Sequence, residues 1–231
     1  MALLRSSIPE LNKGDVALIG IPFDENSSFL RGPAKAPELI IKALESDSAN
    51  FFTEDLKDLN EHPRIKWCGN TFAEDYLSIE RPIQDILNVG AIPFSLGGDH
   101  SVAFPIMKAM AKKYGKLNIL QFDAHGDLYD ELDGNRYSHA CPFARIMESG
   151  LASSLTQIGV RTMTLHQKEQ AEKERDEARR VNKRLRLALS YASTRCEEVH
   201  HTKKHQHKLQ EPCPVEALIE KAMEGGVSDE Y

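Results

Sequence analysis

The apolar run Leu117–Phe122 ends in Asp123-Ala-His125-Gly-Asp127. Ionisable groups at alternate positions beyond a buried segment lose hydration, which is costly unless a partner replaces it. In extended backbone, positions two apart point the same way, so Asp123, His125 and Asp127 can converge on one side of a strand end, and Gly126 permits a tight turn there. One apolar run earlier, "AIPFSL" closes with Gly97 and Gly98 and then presents Asp99 and His100 at the start of a helical pattern. Two adjacent parallel strands ending in this way would offer a composite carboxylate and imidazole set. Such a set suits manganese, iron or zinc rather than copper or a thiolate cluster. The triplet on its own also fits a solvated loop; the Gly-Gly-Asp-His turn at the right distance favours metal.

The elements that must position these groups follow from periodicity. Short apolar runs at 15–20, 91–96, 117–122 and 155–160 alternate with helical patterns at 34–44, at 101–114 and from about His139. Buried strands alternating with helices of this length indicate an α/β fold with a mainly parallel sheet. Ligands in such sheets bind beyond the carboxyl ends of the strands. Near Leu165 the organisation changes. Residues 165–231 carry 13 Lys+Arg against 13 Asp+Glu, so the whole net charge of −6 lies on residues 1–164. The expected division is therefore 1–164, an α/β domain, and 165–231, a charged, mostly helical or partly disordered tail. A long helix is expected from Gln167 to about Arg195, with a thin apolar stripe of Ala178, Val181, Leu185 and Ala188, and a short one at 215–223.

With 231 residues, 41% hydrophobic and 28% charged, the chain can bury one sizeable core. A net charge of −6 gives no footprint for nucleic acid or an anionic membrane. The four cysteines form no CxxC pair, which argues against a zinc knuckle or a disulfide framework; Cys68 and Cys141 read as small core residues. The N-terminal stretch lacks the apolar core of a secretory signal, and no run of about 18 apolar residues occurs, so a cytoplasmic location is expected. The sequon Asn26-Ser27-Ser28 is given no role. His200, His201, His205 and His207 read as a solvated polar segment.

"SLGGDHS" and "FDAHGDLYDELDGNRYSHACPFARIME" resemble the metal motifs of the ureohydrolase family, the arginases and agmatinases. "GIPFDENSSFLRGPAKAPELI" (20–40) resembles its N-terminal signature and "QIGVRTMT" (157–164) its next strand. The resemblance spans about residues 14–172. It implies a three-layer α/β/α fold with a binuclear manganese cluster, a hydroxide that attacks a guanidinium carbon, and release of urea. By the same resemblance His100 ligates the first manganese, His125 the second, Asp123 bridges both, and Asp127 binds the first while accepting a hydrogen bond from the hydroxide. His139 would act as proton shuttle, Asn135 and Ser138 would line the substrate mouth, and Asp99 would orient His100. The implied substrate is a small cationic guanidinium compound, agmatine or arginine, handled by a homo- or hetero-oligomer.

The family completes its cluster with a later Ser-x-Asp-x-Asp-x-x-Asp-Pro strand. Beyond Thr164 this chain has only Asp176 and Asp229 as aspartates, as truncation, alternative splicing or a frame change would leave it. The expectation is an incomplete arginase-like domain, weakly active or inactive, holding at most one manganese ion well. The alternative is a non-catalytic relative that acts through a partner.

Overall fold

The computed structural model describes residues 3–59, 62–71 and 74–173. The tail's long helix beyond 173, its short helix at 215–223 and its histidine cluster lie outside the described residues. The chain divides after Lys168 into two units, and all the named elements belong to the first.

In chain order these are β1 (Leu4–Arg5), β2 (Val16–Ile21), α1 (Ala36–Leu44), β3 (Ile65–Asn70), α2 (Glu80–Asn88), β4 (Ile92–Gly97), α3 (Ala103–Tyr114), β5 (Leu117–Phe122), α4 (Pro142–Glu148) and β6 (Ala152–Ile158). β2 is the pivot. Its β-branched, apolar sequence Val-Ala-Leu-Ile-Gly-Ile suits a strand covered on both faces, and it pairs in parallel with β3 on one side and β4 on the other. Period 2 sorts its side chains. Ala17, Ile19 and Ile21 pack with Ile83, Ile86 and Leu87 of α2 and Ala109 of α3, while Leu18 packs with Ile41 of α1 and Trp67 of β3. Helices thus cover both faces, giving α/β/α layers. The fully buried Ile19, Ile21, Ile83, Ile86 and Leu87 each contribute about 1.5–3 kcal/mol of apolar burial.

The sheet departs from expectation in one respect that matters for the site. The strand order is β1-β3-β2-β4 in a four-stranded sheet, and β5-β6 form a separate two-stranded one, all parallel. Among the described residues no ladder joins β4 to β5, so the strands bearing His100 and Asp123 are not adjacent partners. A second correction follows. Phe94 of β4 and Phe122 of β5 are 56% and 72% exposed, because a strand is buried throughout only where neighbours cover its edges and faces. Each of these strands has one edge unpaired among the described residues.

The remaining differences are local. α4 begins at Pro142 rather than His139, since Pro is well suited to the first helical turn, where its missing N–H costs nothing. β6 begins three residues before the expected run and ends at Ile158. A helical stretch starts at 165, where Thr164 and Gln167 form a capping box: Gln167 N donates to Thr164 Oγ1 at 3.3 Å and Thr164 N donates to Gln167 Oε1 at 3.0 Å. Cys141 is fully buried, as expected, while Cys68 is half-buried. No helix among the described residues is long and apolar enough to cross a membrane.

Candidate metal centre

The turn after β4 is built on glycine. A Cβ at Gly98 would stand 1.8 Å from the Phe23 carbonyl oxygen, and this closeness lets Asp99 N donate to that oxygen at 2.8 Å. Asp99 then caps a 3-10 turn at His100–Val102, its carboxylate accepting from Ser101 N at 2.9 Å and from Asn26 N at 3.1 Å. The expectation that Asp99 orients His100 is thereby corrected. Its oxygens are spent on Ser101, Asn26 and Ser27, and it fixes the turn from which His100 projects.

What orients the His100 ring is Asp127. His100 Nδ1 lies 2.5 Å from Asp127 Oδ2 and 3.6 Å from Asp123 Oδ2, with the Phe143 ring edge-on at 5.6 Å. Asp127 is 7% exposed and adopts φ 47°, a left-handed conformation that aspartate tolerates better than most residues. Its carbonyl accepts from Phe143 N at 3.2 Å, so the first turn of α4 holds it in place. Asp123 turns its other oxygen away: Oδ1 accepts from His125 N at 2.9 Å and lies 3.3 Å from His125 Nδ1.

His100, Asp123 and Asp127 therefore offer one ligand atom each within 4.8 Å of one another. His125 stands outside that group, its side chain 63% exposed, and among the described residues it reaches the cluster through Asp123. Burial opposes protonation of His100, but the Asp127 hydrogen bond and the charges of Asp127, Asp123 and Asp99 outweigh it and raise its pKa above the ordinary 6.5. Burial pushes Asp123 up, and the hydrogen bond from His125 N together with the His100 charge more than reverses this. One imidazole nitrogen and two carboxylates, held together by charge, form a donor set that fits manganese, zinc or iron. A divalent cation bound at His100 Nδ1 would take the place of a proton there.

The other expected site residues lie on the loop between β5 and α4. Asn135 is half-buried, and its Oδ1 accepts from Tyr137 N at 2.8 Å while its Nδ2 donates to Asn26 Oδ1 at 3.1 Å. Ser138 is 2% exposed; its Oγ lies 3.3 Å from His139 Nδ1. Both side chains brace the loop. His139 Nδ1 also lies 3.2 Å from the Asn26 carbonyl, which leaves its Nε2 as the nitrogen free to exchange a proton.

Two residues of the site escaped the sequence reading. Arg145 of α4, 5% exposed, donates from Nη1 to the carbonyls of Asp130 and Arg136 at 2.9 and 3.5 Å and pairs with Glu148 at 2.7 Å. It thereby spans the loop that carries Asn135. The available signal was an arginine set between Phe143 and Ile146 in a short apolar helix. Asn26 joins the β4 turn to the same loop, and its signal was its place in the 20–40 motif.

Comparison with known proteins gives the family. Residues 14–202 match the model of the arginase family. The chain belongs to the arginase family. The match extends past residue 172, where the motif resemblance stops. The chain is 40% identical over 177 residues to arginase 1, mitochondrial, of Oryza sativa subsp. indica, covering 70% of this chain and 51% of that protein. It is 34% identical over 154 residues to the N(1)-aminopropylagmatine ureohydrolase of Thermus thermophilus, covering 64% and 51%. The solved arginase from Medicago truncatula is similar with a TM-score of 0.65 and 38% identity, over 70% of this chain and 54% of that one. The chain spans about half the length of the curated relatives it matches.

Proposed function

We propose that this arginase-family chain binds a manganese ion through His100, Asp123 and Asp127 and is a urea-releasing hydrolase of a small cationic guanidino compound, agmatine or arginine, weakly active as this chain. The observation that carries the reading is the convergence of the three donors within 4.8 Å beyond the ends of β4 and β5. Bound there, a divalent cation would polarise the substrate and make water acidic enough to react near neutral pH. The remaining work falls to the protein. Asp127, which would help hold the cation, could also accept a hydrogen bond from the attacking water, and His139 could carry a proton to the leaving amine at Nε2. Asp123 and Asp127 add negative charge that favours a guanidinium over a neutral amide.

A second reading is favoured by one observation. Phe94, Leu120 and Phe122 are exposed on strands with unpaired edges among the described residues, as in a non-catalytic relative whose sheet is completed by a partner.

Two measurements on the purified chain test both. Elemental analysis after gel filtration is expected to give at most one manganese per chain, lost with Asp127→Asn, and urea release from agmatine or arginine in excess manganese is expected to be slow. No manganese uptake at millimolar concentration refutes the metal reading. Two tightly held ions in a monomer refute the incomplete cluster, and metal uptake without any urea from either substrate favours the partner reading.

A further inference from the structure

Asn26 lies in the loop after β2, and each of its polar groups is engaged with residues far along the chain. Its backbone N–H donates to Asp99 Oδ2 at 3.1 Å and its Nδ2 donates to Ser101 Oγ at 3.2 Å. Its Oδ1 accepts from Asn135 Nδ2 at 3.1 Å, and its carbonyl accepts from His139 N at 3.1 Å and faces His139 Nδ1 at 3.2 Å. Asp99 and Ser101 flank His100 and are buried, at 5% and 0% exposed; Asn135 and His139 belong to the half-buried loop before α4. One residue thus joins the turn after β4 to a loop that is anchored by Leu128, Ala140 and Cys141 and whose polar stretch at Asn135 and His139 is held through Asn26.

From this placement we propose that Asn26 is a positioning residue that couples occupancy of the His100, Asp123 and Asp127 cluster to the order of the loop bearing Asn135 and His139. The coupling rests on the manganese-binding reading; the mechanical link does not. The amide is suited to the task because it offers a donor and an acceptor at equal reach. Aspartate keeps the acceptor and loses the donor, serine is shorter, and leucine has similar bulk and neither group. The Asn26 carbonyl has a further effect. It can only accept, so a bond to His139 Nδ1 requires the proton on that nitrogen and leaves Nε2 as the base. This contact would favour the Nδ1–H tautomer, the one that leaves Nε2 to exchange a proton.

The test is hydrogen exchange of the full chain, followed by mass spectrometry on segment 135–141, with and without Mn²⁺. In the parent protein Mn²⁺ is expected to slow exchange of this segment. Asn26→Leu is expected to speed metal-free exchange there about tenfold, the effect of one lost hydrogen bond, and to abolish the slowing by Mn²⁺. Its Mn²⁺ affinity, set by ligands left in place, should stay within a few-fold. Asn26→Asp, which retains the acceptor for Asn135, should recover much of the protection. If Asn26→Leu does not fold, Asn135→Leu cuts the same link from the loop side and must reproduce the faster exchange. Parent-like exchange in the folded variant overturns the proposal. Failure of the parent to take up Mn²⁺ refutes the metal reading and the coupling, and the metal-free comparison then decides the link alone.

Discussion

Gly98→Ala is the sharpest perturbation that the turn after β4 allows. The added Cβ would meet the Phe23 carbonyl oxygen at 1.8 Å and the Phe23 nitrogen at 2.8 Å. Both are backbone atoms, so no rotamer change relieves the clash. Separations under 3.0 Å are essentially never seen for a real Cβ, and the two segments must part by more than about 1 Å. That movement breaks the 2.8 Å bond from Asp99 N to Phe23 O and withdraws Asp99 from Asn26. Overpacking of this kind costs about 1–3 kcal/mol, and a stranded buried N–H about 1–3 kcal/mol more. A loss of roughly 3 kcal/mol is expected in a urea denaturation curve. His100 is two residues downstream, so Mn²⁺ affinity should fall at least tenfold in the fraction that remains folded. A variant within about 0.5 kcal/mol of the parent, with parent-like Mn²⁺ affinity, would show that the turn yields and does not fix His100.

Arg145→Met keeps the apolar stem and removes the donors to Asp130 and Arg136; a loss of about 2–3 kcal/mol is expected, read from the denaturation midpoint, and a change under about 0.5 kcal/mol would contradict the bracing role. Manganese affinity should fall as pH drops through the folded pKa of His100, which lies above 6.5, because the cation must displace that proton. Calorimetric titrations of the parent between pH 8 and 6 should show the fall, and an affinity independent of pH over this range would contradict the role of His100 as a ligand. Asp15 has its pKa lowered by the Lys66 hydrogen bond, at 2.8 Å, and then by Asn12 N. Its stabilisation is therefore present above the ordinary 3.8 and is lost as pH falls through the folded value. Lys66→Met should weaken the pH dependence of acid unfolding in that range.

What was legible in the sequence was local. The period-2 spacing of Asp123, His125 and Asp127 and the glycine turn before His100 are encoded within a few residues, and the structure brings three of these four side chains together. β5 runs over the residues its apolar pattern marked. β3 was passed over because Lys66, Gly69 and Asn70 interrupt its hydrophobic run, and it forms by pairing with β2 and β1. α2 was also missed; only Ile83, Ile86 and Leu87 face its core among charged neighbours. The separation of β4 from β5 could not be read at all, since strand pairing is a long-range choice. Asn26 escaped for the same reason: Asp99 and His139 lie 73 and 113 residues away from it.

The division into two sheets also orders events in time. All ladders of the four-stranded sheet lie within residues 4–97, and those of the two-stranded sheet within 117–158. A chain leaving the ribosome from its N-terminus can close the first sheet before Leu117 has emerged, with His100 on its turn and no carboxylates yet opposite it. On the proposed manganese binding, the ion would bind only once Asp123 and Asp127 have emerged and folded against that turn, and would select nascent chains in which both sheets have met. A ligand that binds only that state stabilises it by mass action, so manganese bound in this way would raise the yield of folded protein during synthesis.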